Sequence, residues 1–284
     1  MSFQHHGADA VCYAPCYYND IKMAFRGPKR DLDGPFIACL GGAGMFGKYV
    51  PRALPDVVEA GSAMPAVNLG QVNGGVDFMV SPEMLSVASR ATVTVIDLVG
   101  AHNLSNRFYR VHPRRNDRVI AATPLMKRVF PELDLSDVHF TRHLLTLMQA
   151  VAPARTETVI EDLRQEWLER MHALVRALPG PVILLWMGGG PVPQKAEDAT
   201  VRIPFVDEQM VSGLSGTAAD LVVIDGHDLR KDRTGMVFPD DALAQLEALP
   251  TAHEVAFAGE RVLHALARHL PKDDAVPRAR RRRR

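Results

Sequence analysis

Five short apolar runs, each closed by a turn and separated from the next by a helical pattern or a long connection, constrain the fold of this 284-residue chain more than any other feature. They are Phe36 to Leu40 (FIACL), Ala66 to Leu69 (AVNL), Thr92 to Val99 (TVTVIDLV), Val182 to Met187 (VILLWM) and Leu221 to Ile224 (LVVI). Runs apolar at nearly every position suit strands covered on both faces, as in a parallel sheet built from βαβ units. Helical patterns fall between them: Lys48 to Ala60, interrupted early by Pro51 and Pro55; Pro82 to Arg90, with Ser81 as N-cap; and Asp207 to Leu214. In Thr156 to Leu178, Leu163, Trp167, Met171, Leu174 and Leu178 recur at helical spacing between charged residues, and Ala252 to Leu270 closes the domain. The expected fold class is α/β, a doubly wound parallel sheet of three-layer, flavodoxin-like architecture.

This divides the chain into an irregular, aromatic arm (1–34), one α/β domain (35–271) and a tail (272–284). Residues 104–154 carry prolines at 113, 124, 131 and 153, with short helical stretches at Pro124 to Val129 and Thr141 to Val151. They read as an insertion, after the third strand, that folds over the strand ends. The tail ends in Arg278 and Arg280 to Arg284, is expected to be disordered, and offers a weak contact for nucleic acid or other polyanions, or simply a solvated terminus. A formal net charge of zero argues against the whole domain being an electrostatic nucleic-acid binder.

At 47% hydrophobic and 23% charged, the chain supports a large core. No apolar run reaches the roughly 20 residues that span a bilayer, and the first twenty residues lack the basic and apolar regions of a secretory signal, so a cytoplasmic location is expected. Cys12, Cys16 and Cys39 make no disulfide framework. The first two have the spacing of half a metal site, with no matching second pair, so neither metal nor cofactor is expected.

Ligands of open α/β sheets bind beyond the carboxyl ends of the strands, where the third strand runs into Gly100 to Arg118 (GAHNLSNRFYRVHPRRNDR). Five arginines, two histidines, three asparagines and a tyrosine in nineteen residues suit the grip of a carboxylate, phosphate or sulfate, although a salt-bridged loop uses the same residues. After the first strand comes Gly41 to Gly47 (GGAGMFG), a turn that brings backbone N–H groups toward an anion or simply ends a strand; it is neither a P-loop nor a dinucleotide fingerprint. His139 and His143 share a helix face but lack a third ligand. Asp225, His227 and Asp228 lie at the fifth strand's end, as a site or as a hydrogen-bonded turn.

GGAGMFG, NLGQVNGG and GAHN occupy the positions of three sequence blocks of the SGNH/GDSL hydrolases, which the chain remotely resembles. That resemblance implies that Gly70 matches the glycine of the second block, Asn103 the asparagine of the third that completes an oxyanion hole, and His253 the base near the C-terminus. The nucleophile position falls on Ala43, which has no hydroxyl, and Pro250 stands where a carboxylate precedes the histidine, so the usual acyl-transfer mechanism lacks two of its members. Ser105 is near enough in sequence to be a displaced nucleophile, or a loop hydrogen-bonder. FRGPKRDLDGPFIACLGG, VNLGQVNGGVD, NLSNRFYRVHPRRNDR and HFTRHLL are similar to a bacterial family of uncharacterised proteins, a domain of unknown function, over nearly the whole chain.

These readings converge on an SGNH-like protein binding an anionic small molecule or a glycan in a strand-end cleft, lined by Gly42, Ala43, Asn103, Arg107, Tyr109, His112, Arg114 and Arg115. The alternative is a hydrolase or transferase acting on acylated, sulfated or phosphorylated carbohydrate, with His253 or His112 as base. A third reading is a non-enzymatic interaction protein that uses its basic tail.

Overall fold

The computed structural model describes residues 10–18, 21–196, 201–225, 229 and 231–270. The first half of the sheet unit runs β1 (Ile37–Gly41), α1 (Ala43–Phe46), α2 (Leu54–Ser62), β2 (Ala66–Gly70), α3 (Val76–Met79), α4 (Pro82–Ala88) and β3 (Val93–Asp97). An excursion comes next, made of β4 (Tyr109–His112), β5 (Arg115–Ala122), α5 (Pro124–Val129) and α6 (Thr141–Val151). The chain then returns through α7 (Pro153–Ala177), β6 (Val182–Trp186), α8 (Glu208–Leu214), β7 (Asp220–Val223), α9 (Leu243–Leu246) and α10 (Ala252–Leu266).

The five strands expected from the sequence form one wholly parallel sheet in the order β2-β1-β3-β6-β7. Counting only these strands, this is the 2-1-3-4-5 order of flavodoxin-like folds, with the strand order reversing between β1 and β3. Strand periodicity separates the two faces. In β1, Ile37 and Cys39 join the core under α2 and α10 with Val58, Val255 and Val262, while Ala38 and Leu40 join the core under α4 and α7 with Met84, Val87, Leu163 and Trp167. Fully burying a side chain of this size contributes roughly 1.5–3 kcal/mol, so the α7 stripe of Leu163, Trp167, Met171 and Leu174 is a main anchor of its layer.

Two local expectations are corrected. The helix expected over Lys48 to Ala60 is broken: α1 ends at Gly47 in the left-handed conformation, Tyr49 is also left-handed, and α2 begins only at Leu54 with a proline in its first turn. The closing helix ends at Leu266, short of Leu270. Residues 109–122, which lie in the segment read as an insertion and were given no element of their own, form the antiparallel hairpin β4–β5. Their arginines, asparagine and aspartate mask a strand pattern whose inward residues, Tyr109, Val111 and Asn116, are buried.

Candidate functional site

A cleft of about 390 Å³ opens at the carboxyl ends of β1 and β3. This is the place where the strand order reverses and where open α/β sheets hold their ligands. Its lining comes from the β1–α1 turn (Gly42, Ala43, Gly44), the end of β3 with the loop beyond it (Asp97 to Gly100, His102, Asn103), and the β2–α3 connection (Val72 to Gly75). Lys48, Asp117, Arg142, Arg202 and Gln245 complete its polar groups.

The helix α1 and the connection that follows it are pinned from below. Arg26, 3% exposed, donates from its guanidinium to the carbonyls of Gly47 (2.6 Å), Val50 (2.9 Å) and Pro51 (2.6 Å). On β2, the Asn68 amide donates to Met45 O at 3.1 Å. Gly70, paired in register with Gly41, lies against the backbone of α1, where a Cβ would come within 2.8 Å of the Met45 carbonyl carbon. The glycine is thus needed for close packing beneath the turn, and Gly70 is outside the cleft lining.

Asp97 is the central group. It ends β3, is 5% exposed, and accepts the Met45 N–H at 3.2 Å on Oδ2. A Cβ at Gly44 would sit 2.8 Å from that oxygen, so only glycine leaves room for the carboxylate under the turn. Burial pushes the Asp97 pKa up to about 7; the Met45 N–H and then the charge of Arg202 pull against it without cancelling it. Around neutral pH this carboxyl exchanges its proton readily, the property of a general acid or base.

The cations come from distant segments. Arg202, 6% exposed, clamps Glu254 with both Nη atoms (2.8 and 3.3 Å) and donates to the carbonyls of Met187 and Leu249. The Lys48 ammonium donates to Gln245 at 2.6 Å, and burial lowers its pKa. Arg142 donates to Val201 O at 3.4 Å, and its charge, after burial, helps push the His102 pKa down to about 3. His102 is therefore neutral over the ordinary pH range. Asn103 accepts the Thr141 hydroxyl on Oδ1 at 2.5 Å.

Of the residues singled out in the sequence, Gly42, Ala43 and Asn103 meet at this cleft. The arginine-rich segment goes elsewhere. Arg107 pairs with the buried Asp162 at 2.5 Å, Arg114 donates to Lys22 O at 2.9 Å, and Arg115 lies 3.9 Å from Asp117. Tyr109 is fully buried and donates its hydroxyl to His102 O at 3.1 Å; His112 accepts the Arg114 and Arg115 N–H groups at the hairpin turn. His253 stands half-exposed on α10 with Nδ1 3.2 Å from Asp232, away from the cleft lining. Ser105 accepts the Val111 N–H, a loop-stabilising role. His139, His143 and Asp225 are exposed, and His227, Asp228 and Arg278 to Arg284 lie outside the described residues. Among the described residues, no three His, Cys, Asp or Glu side chains group as metal ligands, and no helix is long and apolar enough to cross a membrane.

Sequence reasoning missed Asp97, Arg142, Arg202 and the role of His102. For Asp97 a signal existed: an acid closing an otherwise apolar buried strand. Arg142 and Arg202 reach the cleft through tertiary packing alone.

Fold and cleft together define a three-layer α/β protein with a small-molecule-sized site at the switch point of its sheet. The chain belongs to the family described as a domain of unknown function, DUF6473, whose model matches residues 1–270. No curated protein matches the sequence. In chain course it is similar to a carbohydrate esterase family 2 enzyme with a carbohydrate-binding domain from Corynascus thermopiles (Myceliophthora fergusii), at 10% identity and a TM-score of 0.43, over 86% of this chain and 68% of that one. It is likewise similar to the lipase Lip_vut3 from a goat rumen metagenome (11% identity, TM-score 0.40, 82% of this chain and 97% of that one). A protein assigned to the SGNH hydrolases, from Slackia heliotrinireducens, gives 9% identity and a TM-score of 0.39 over 82% of this chain and 100% of that one.

Proposed function

We propose that this protein binds an anionic small molecule, acidic or phosphorylated carbohydrate included, in the switch-point cleft. One observation supports this most: Lys48, Arg142 and Arg202, far apart in sequence, line the same cleft with the amides of Asn73, Asn103 and Gln245. Arg202 is already paired with Glu254, so Lys48 and Arg142 stand against the two carboxyls of the lining, of which Asp97 is neutral for much of the time near pH 7. Burial disfavours the charge of Lys48, and an anion beside it would restore the lost solvation. The volume is that of a small-ligand pocket.

Titration calorimetry with sulfate, inorganic phosphate and sugar phosphates tests this reading. Arg142→Ala and Lys48→Ala are each expected to weaken binding on the order of tenfold. The double variant Arg114→Ala, Arg115→Ala, outside the cleft lining, is expected to leave it unchanged. The opposite pattern would move the site to the hairpin.

Asp97 favours a second reading, a hydrolase or transferase acting on acylated, sulfated or phosphorylated carbohydrate, in which its carboxyl exchanges a proton with the bound molecule. A covalent route through position 43 is closed, because the methyl group of Ala43 has no lone pair with which to attack.

A further inference from the structure

One part of the cleft is assembled from two separate turns. Gly75 donates its N–H to Asn116 Oδ1 at 2.7 Å, and a Cβ on Gly75 would lie 3.1 Å from that oxygen and 3.3 Å from Asn103 Cβ. The hairpin and the segment after β3 therefore meet at one glycine, and the residues beside these two asparagines, Asp117 after Asn116 and His102 before Asn103, both line the cleft.

Both carry a buried polar atom that has no hydrogen-bond partner among the described residues: His102 Nδ1 and Asp117 Oδ1. His102 is only 7% exposed, and its ring nitrogen is held against Gly100, where a Cβ would come within 2.8 Å of it. A third cleft residue, Arg202, leaves its buried Nε without a partner while its Nη atoms are spent on Glu254 and on backbone carbonyls. Buried polar groups in folded proteins are nearly always satisfied, so three such atoms on residues that line one cleft point to what its occupant would offer. Asp117 Oδ1 needs a donor and Arg202 Nε needs an acceptor. His102 Nδ1 takes either role according to tautomer.

A bare tetrahedral anion has oxygens to accept but little to donate, and it would be repelled by Asp117. A hydroxyl group donates one hydrogen bond and accepts others. Adjacent hydroxyls therefore satisfy an imidazole nitrogen, a carboxylate oxygen and an N–H together.

Building on the anion-binding reading above, we propose that His102 and Asp117 form a hydroxyl subsite, so that the ligand is a polyhydroxylated anion such as a sugar phosphate or sugar acid. Its charged group faces the cations, and neighbouring hydroxyls donate to Asp117 Oδ1 and bond to His102 Nδ1.

Glucose 6-phosphate and inorganic phosphate are the probes, titrated by calorimetry into the full chain and its variants, with thermal unfolding as a check on the fold. Wild type is expected to bind glucose 6-phosphate at least about tenfold tighter than phosphate. His102→Phe keeps a buried ring without nitrogens and is expected to lose that preference with phosphate affinity nearly unchanged. His102→Asn, which returns a polar atom near the Nδ1 position, is expected to restore part of it. Asp117→Asn is expected to act in opposite directions, weakening glucose 6-phosphate and tightening phosphate as the repulsion is removed. A merely structural role would move both affinities the same way. Asp117 is less buried than His102, so its variant provides the test if His102→Phe does not fold. If wild type binds the two probes equally, or Asp117→Asn leaves their ratio unchanged, the hydroxyl subsite is wrong and the anion site stands. If wild type binds neither, both readings fall.

Discussion

Asp97 and His102 stand a few residues apart and respond to burial in opposite ways. Each is shifted toward its neutral form, so each gives stability a pH dependence of its own sign. The folded Asp97 keeps its proton to about pH 7, whereas the unfolded carboxyl releases it near 3.8. Between those values the folded state binds more protons, and stability falls as pH rises. The folded His102 stays unprotonated down to about pH 3, while the unfolded imidazole takes a proton near 6.5, so this group makes stability fall as pH drops below 6.5. Asp97→Asn keeps an oxygen for the Met45 N–H and removes only the first slope. The variant is expected to be more stable than wild type at pH 8, by up to about 4 kcal/mol if the whole shift is expressed. Its stability is also expected to rise between pH 4 and 6.5, where the wild-type slopes oppose. Urea unfolding at four or five pH values measures this, and a variant less stable at pH 8 would make Asp97 an anchor of the turn instead of a strained acid. In the sequence, Asp97 was passed over because TVTVIDLV reads as a buried strand, although an acid inside such an apolar run is itself the signal.

At the scale of elements, the strands were legible because burial on both faces leaves a continuous apolar run, and all five lie within a residue or two of where that pattern puts them. The β4–β5 hairpin was not legible, because charged residues interrupt its buried side chains Tyr109 and Val111 and a third inward position, Asn116, is itself polar. Asn116, fully buried, accepts the N–H groups of Gly75 (2.7 Å) and Phe78 (3.0 Å) on Oδ1 and donates to His112 O (2.9 Å) and Pro113 O (3.3 Å). That side chain joins the hairpin turn to α3 and so to the cleft. Asn116→Ala would leave two buried N–H groups without their acceptor, at an expected cost of about 2–4 kcal/mol. Hydrogen exchange is expected to speed up at Gly75 and Phe78 while the β1 and β3 amides stay protected. Uniform loss of protection would mean that the hairpin and the sheet open as one unit. The same organisation explains the arginine-rich segment: Arg107, Arg114 and Arg115 meet Asp162, Lys22 O and Asp117, while Arg142 and Arg202 reach the cleft.

For the whole molecule, a net charge of zero conceals an uneven distribution. In residues 271–284, Lys272 and six arginines oppose Asp273 and Asp274, a surplus of five positive charges, so residues 1–270 carry a net charge of minus five. The family match ends at residue 270, where this basic stretch begins. An acidic body repels polyanions at long range, and a recessed cluster of cations in it can still hold a small anion at contact distance. The two kinds of binding should therefore separate when 271–284 is deleted. The truncated protein is expected to lose retention on heparin or single-stranded DNA while keeping its affinity for a sugar phosphate, and to unfold at the same temperature, since α10 closes its layer by Leu266. Salt should discriminate in the same direction. At about 0.15 M the Debye length is ~8 Å, so contacts between solvated arginines and a polyanion weaken steeply, whereas cations in a partly buried cleft are screened less. Full-length protein is thus expected to release heparin between roughly 0.1 and 0.5 M salt, over which the screening length about halves, with less than about a threefold change in sugar-phosphate affinity. Loss of sugar-phosphate binding on deleting the tail would place the anion site among its arginines and leave the cleft without its proposed ligand.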